Sequence, residues 1–255
     1  MTRRRLSVVM AAVLVLSFSF GVLAADVFGG ERNAHNGGTA PPADGPVTPA
    51  VPSRSASSVP PARTPVPQPP DEATTGQVRW DATLAVPLPV SATQGPLTLT
   101  SDFAGSFGPT RLGAAIAAAH LLARTSPRVG PVVFTSTIEL QVRGPNRQAL
   151  AGAVRSAYDD EARQLGLVGG DPLPGADAQL VGYRMVHFTP SDAVVEVVLS
   201  STALRVDGQV VVVRVSLQRS DDDWVLVAPP RGDWGVVTTV LPGRPADTVA
   251  YVEEP

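Results

Sequence analysis

The pattern of apolar and polar positions changes four times along the chain. Residues 6–25 read LSVVMAAVLVLSFSFGVLAA, twenty positions without a charge and apolar on every helical face. Residues 27–78 show no apolar period and hold eleven prolines, with PVPQPP at 65–70. In residues 107–125, Leu112, Ile116, Ala119, His120 and Ala123 recur at spacings of three and four. Residues 146–165 repeat that spacing with Leu150, Val154, Ala157, Tyr158, Ala162 and Leu165. Beyond residue 178 the period shortens to that of strands.

These patterns predict elements. Pro109 or Thr110 opens the first helix and Ser126-Pro127 closes it. Its second face is almost all alanine, so it packs closely on more than one side. Asn146 caps the second helix, and Gly166 suits its left-handed end. The stretch VVFTSTIELQV at 132–142 reads as a strand on propensity, or as a connection between the helices. Near Trp80 a short strand begins, which Pro87 and Pro89 confine to an edge or an irregular arm. Residues 95–107 read as loop.

Four strands follow at 178–189, 193–206, 209–218 and 224–228. They are joined by 189–192, by Asp207-Gly208 and by 220–223, and connections this short give an antiparallel meander. Residues 236–241 and 248–252 add a last strand or wrap the sheet. The expected fold class is α+β, with two main helices packed on one face of a curved antiparallel sheet of four to six strands.

Composition and charge set the compartment. A helix over 6–25 reaches about 30 Å, the thickness of the bilayer hydrocarbon. Arg3, Arg4 and Arg5 precede it and Asp26 is the first charge after it. That asymmetry keeps the N-terminus in the cytoplasm and places the remainder outside, as a single-pass cell-membrane protein. A cleaved signal ending near 22–24 is the alternative, but its apolar region is usually only about 7–15 residues long. The chain then divides into an anchor at 1–26, a disordered Pro-rich linker at 27–78 and an extracytoplasmic domain at 79–255. As a spacer the linker reaches between about 40 Å coiled and about 160 Å extended. Passive disorder without a spacing role is the other reading of it.

The chain has no cysteine, so disulfides, thiol nucleophiles and cysteine metal sites are all absent. Every basic residue is arginine, twenty in all, which reflects base composition rather than one site. From residue 79 onward there are 14 Arg against 18 Asp plus Glu, a net of −4. Arginines scattered singly among acids do not make the basic stripe that phosphates need, so no direct nucleic-acid binding is expected.

Candidate chemistry is sparse. Cone-shaped α+β folds can keep a pocket between helix and sheet, and an acid or base inside it could work on a small molecule. The possible pocket residues are His120, Tyr183 and His187, with Glu196 and Arg184 nearby in sequence. Each also has a plain reading: His120 as a half-buried core histidine, His187 on the packed face it shares with Tyr183 and Met185, and Glu196 as a lone carboxylate on a solvent face. Arg205 and Arg214 are placed to pair with acids across the hairpin. No Gly-x-Ser-x-Gly elbow, His-Glu-x-x-His pair or phosphate loop occurs. The reading is therefore non-enzymatic, without catalytic residues, cofactor or metal. Trp224 and Trp234 are read as core residues or as a partner contact.

Three stretches carry a family resemblance: FGPTRLGAAIAAAHLLART at 107–125, DDDWVLVAPP at 221–230 and GDWGVV at 232–237. With the anchor and linker before them, they resemble a family of uncharacterised membrane-anchored proteins from actinobacterial integrative and conjugative elements. Arg124 matches the arginine that ends that family's Gly-Ala-rich helix, and Asp223-Trp224 its Asp-Trp strand. The resemblance implies a domain like nuclear transport factor 2, as in TcpC-type conjugation proteins and the inner-membrane scaffold of type IV secretion. It implies a non-enzymatic scaffold of a DNA-transfer apparatus, whose partners are the membrane through 6–25 and other transfer or envelope proteins, or the chain itself. An exported small-molecule binder or isomerase is the alternative, and a passive envelope protein a third.

Overall fold

In the computed structural model, residues 78–84, 86–175, 178–201 and 208–251 are described. The expected membrane segment at 6–25, all of the expected linker but Val78, Arg205, and Asp207 of the expected hairpin turn lie outside these residues. Among the described residues, no helix is long and apolar enough to cross a membrane.

The domain begins with an arm. Strand β1 (Arg79–Asp81) pairs antiparallel with β2 (Leu88–Val90), apart from the main sheet, in keeping with the prolines around it. The 95–107 stretch, read as loop, contains a small hairpin of β3 (Thr98–Leu99) and β4 (Ala104–Gly105).

Helix α1 (Arg111–Arg124) starts at Thr110, whose Oγ accepts the Gly113 N–H at 3.1 Å. Twelve of its 14 residues are buried, so it is the central helix, enclosed on all sides as its alanines suggest. Helix α2 (Pro131–Gln141) corrects the strand reading of 132–142. Pro131 supplies a pre-set first turn, and Val133, Phe134, Thr137, Ile138 and Gln141 bury one helical face. The stretch then yields only a two-residue strand, β5 (Val142–Arg143). Helix α3 (Arg147–Leu165) buries Leu150, Val154, Tyr158 and Ala162, and ends at Gly166 in the left-handed region. Asn146 sits at the cap position, but its side chain makes no capping bond.

The meander is β6 (Ala178–Phe188), β7 (Asp192–Ser201), β8 (Val210–Ser220) and β9 (Asp223–Val227), antiparallel throughout. Strand β10 (Thr238–Leu241) pairs with residues 210–213 of β8, while β9 takes residues 216–220 of the same edge. Strand β5 adds to β9 in parallel, which makes the six-stranded sheet mixed. Among the described residues, three α-helices, rather than two, and this sheet make an α+β domain.

Alternation sorts the sheet's two faces. Val195, Val197, Leu199, Val211, Val213, Val215 and Leu217 join the helices in the main core. Val198, Val210 and Val212 form a separate small cluster with Val181 and Leu241. Two bulges interrupt β6, between Leu180 and Gly182 and between Met185 and His187. A last stretch, residues 247–251, crosses the outer edge of β6 at Tyr183, where Val249 makes a two-bond backbone bridge.

Candidate functional site

Two turns of α1 place His120 and Arg124 on the same helix face, four residues apart. His120 is 1% exposed. Its Nε2 lies 2.9 Å from the Pro89 carbonyl of the arm, and the Phe107 ring is 5.8 Å away. Burial drives its pKa down from 6.5 to about 4, and the Arg124 charge adds to this; the Pro89 carbonyl and Asp81 pull the other way. The ring is therefore neutral at pH 7, donating from Nε2 to Pro89, with Nδ1 as an unpaired lone pair.

Arg124 is equally buried. Its guanidinium donates to the Ser101 and Thr100 carbonyls at 3.2 and 3.0 Å, so it ties the β3–β4 hairpin to the helix. Burial lowers its pKa, while Asp102 and Asp81 oppose that shift. From α2, Gln141 grips the same hairpin, Nε2 donating to the Ala104 carbonyl at 2.6 Å. One polar atom of each remains without a partner: His120 Nδ1, Arg124 Nε and Gln141 Oε1, together with Thr137 Oγ one turn before Gln141. This helix–hairpin seam is the candidate site. Each of these four is a buried polar atom of α1 or α2 that a bound water or a small polar group would satisfy.

Of the residues singled out in the sequence, Tyr183 is buried and its ring lies 5.1 Å from that of Tyr251. The Tyr251 hydroxyl donates to the Ala115 carbonyl of α1 at 3.0 Å. His187 is exposed. The bulge between Met185 and His187 inserts Val186, so Tyr183, Met185 and Phe188 pack on the core and His187 does not share their face. Among the described residues no cluster of His, Asp and Glu is arranged to hold a metal ion.

Glu196 is not a lone carboxylate facing solvent. It is 8% exposed, and its two oxygens take Arg184 NH1 at 2.8 Å and Arg214 NH2 at 2.7 Å. Both arginines come from neighbouring strands, at the register positions directly opposite Glu196. Glu196 is thus held between two arginines in the sheet.

Trp224 and Trp234 are 0% and 3% exposed, so both belong to the core and neither presents its ring at the surface. Trp224 Nε1 donates to the Gly108 carbonyl at 2.9 Å. Its neighbour forms a latch that the sequence reading did not anticipate. Asp223 accepts the Ser106 and Phe107 amides at 2.6 and 2.9 Å, and its Oδ1 also takes the Trp224 amide at 2.8 Å. Arg219 donates to the Phe107 carbonyl and lies 5.4 Å over the Trp224 ring. The 107–125 and 221–230 stretches thus lock onto each other. Gly232 of the third stretch lies against α3, where a Cβ would sit 2.2 Å from the Leu150 nitrogen. An Asp next to a Trp was the one available signal, and its partners lie over a hundred residues away.

No curated protein and no solved structure shows significant similarity to the chain. A family profile described as "Domain of unknown function (DUF8175)" matches residues 40–243. That match takes in most of the chain, from within the proline-rich stretch to just past β10, and the protein belongs to the DUF8175 family.

Proposed function

We propose that the chain is a membrane-tethered, extracytoplasmic scaffold component without catalytic activity, and that it serves a conjugative DNA-transfer apparatus. The observation that carries this reading is the twenty-residue uncharged run at 6–25 behind Arg3, Arg4 and Arg5. The proline-rich stretch after it suits a spacer, and the domain is proposed to follow the cone arrangement of nuclear transport factor 2. Two features of the domain support a scaffold. Glu196 is paired with Arg184 and Arg214 across the sheet, and two of the stretches that carry the resemblance, 107–125 and 221–230, bond to each other through Phe107–Asp223 and Gly108–Trp224. A reporter fused after residue 255 should be active only outside the cytoplasm, and deleting residues 2–25 should abolish transfer while the domain still accumulates folded. A reporter active only inside the cell, or transfer supported by the anchorless chain, refutes the reading.

A second reading, an exported small-molecule binder, is favoured by one observation: the four unpaired buried polar atoms of the helix–hairpin seam. A ligand there would raise the melting temperature of the intact chain, and replacing Thr137 by Val would remove that response.

A further inference from the structure

Strand β6 is the terminal strand of the sheet, and the chain's own residues 244–251 form a strap over its outer edge. Tyr183 N–H donates to the Val249 carbonyl at 2.9 Å, and Val249 N–H to the Tyr183 carbonyl at 2.8 Å. The strap begins in a turn, where Thr248 Oγ donates to the Pro245 carbonyl at 2.7 Å and Arg244 to the Thr248 carbonyl at 3.0 Å. It ends at Tyr251, which is buried with its hydroxyl on the Ala115 carbonyl of α1. The Tyr251 ring meets that of Tyr183 at 5.1 Å and that of Trp80, edge-on, at 6.0 Å. Trp80 belongs to neither strap nor sheet. It is the middle residue of β1, opposite Pro89 of β2, whose carbonyl is bonded to His120 of α1. One line of contacts thus runs from α1 through the arm to the strap and the sheet edge.

We propose that the arm gates this strap: docking of Trp80 closes the strap over the β6 edge, and lifting of Trp80 releases it. The bonds of the leading turn run within the strap, so they shape it without fastening it to β6. Asp247 adds an ion pair to Arg184, but its side chain is 68% exposed and such pairs hold weakly. Tyr251 is therefore the fastening. Two walls of its niche, Tyr183 and Ala115, belong to the sheet and to α1, and the third is Trp80. Removing that wall opens the ring to water and leaves the two backbone bonds at Tyr183 as the main hold. A bare terminal strand presents unpaired N–H and C=O groups that can accept another extended chain, and the closed strap hides them at Tyr183. The bulges of β6 on either side of Tyr183 break the ladder beyond the strap. The gate lies where residues 1–77 join the domain. That a pull on them lifts Trp80 rests on the tethering proposed above; the coupling of arm and strap is measured without reference to membrane or transfer, so the two fail separately.

The test is hydrogen exchange of the purified full-length chain in mild detergent, read on three regions: the strap with β6, the arm, and the β7–β8 pairing as a control. Trp80→Ala should speed exchange of the Tyr183 and Val249 amides by about 2- to 12-fold, the worth of one aromatic pair, and leave β7–β8 unchanged. Trp80→Phe keeps an aromatic edge and should give a smaller rise, and it carries the test if Trp80→Ala does not fold. Coupling between two sites is reciprocal, so Tyr251→Ala should speed exchange of β1 and β2 by a similar factor. Strap amides that ignore both Trp80 variants, an arm that ignores Tyr251→Ala, or a rise shared equally by β7–β8 overturns the proposal.

Discussion

Lowering the pH tests the seam directly, because His120 is buried with room for only its neutral form. Unfolded, the imidazole titrates near 6.5; folded, near 4. The folded value is depressed, so between these limits the unfolded chain binds more protons and stability falls as the pH falls. The contribution is fully present above pH 6.5, shrinks as the pH drops toward 4 and changes no further below that. The gap corresponds to about 3 kcal/mol, at about 1.4 kcal/mol for each tenfold difference in proton affinity. Urea unfolding of the full chain in mild detergent, at fixed ionic strength, should register this as a midpoint lower by about 1 to 2 M at pH 4 than at pH 7. His120→Gln keeps a donor able to reach the Pro89 carbonyl and removes the titration. Its midpoint should vary much less over that range, and the wild type minus variant difference removes the part of the Asp81 contribution that its Thr83 hydrogen bonds supply, leaving the part that comes from His120 itself. Parallel profiles for the two proteins would refute the reasoning, as would an imidazole resonance for His120 that titrates near 6.5.

Two further outcomes follow from the packing. Asp223→Ala removes the acceptor shared by the Ser106, Phe107 and Trp224 amides and should cost about 1–3 kcal/mol, seen as a drop in melting temperature, with Asp223→Asn intermediate. Glycine replacements in and beside α3 should have opposite signs. Gly232→Ala forces a Cβ onto the backbone of Ala149 and Leu150 and should prevent the native fold, whereas Gly152→Ala meets nothing within 4 Å and should stabilise the helix by about 0.5–1 kcal/mol in thermal unfolding.

Much of the fold was legible because its periods are long and uninterrupted. The alanine-rich face of α1, the stripe of α3 and the four meander strands each repeat one spacing several times. Helix α2 was hidden because Val132, Val133, Thr135, Thr137 and Ile138 favour strands by propensity. Its helical signal, the 133-134-137-138-141 spacing of buried positions, becomes decisive only once there is a core to bury them. The site was less legible. His187 changes face through a single inserted residue, Val186, and such a bulge leaves no mark in an otherwise apolar strand. Arg214 does pair with an acid across the strands, as expected, but neither that acid's identity as Glu196 nor the second partner Arg184 was legible, because register across strands is set by turns and packing. The Asp223 latch joins residues over a hundred positions apart, a distance at which no local pattern speaks.

Under the tethering proposed above, the arm has a mechanical consequence. Any pull through the proline-rich stretch enters at Val78, beside the three-residue pairing of β1 with β2. Loaded from that end, the pairing peels open one bond at a time, while the Trp80 ring against Tyr251 resists at the second residue. Val78 is buried in the main core and Pro89 is bonded to His120, so a pull entering there reaches α1 through the arm rather than being taken up as slack. Were the domain tethered as proposed, force would meet a buried, anchored joint at its N-terminal end and not a loose one.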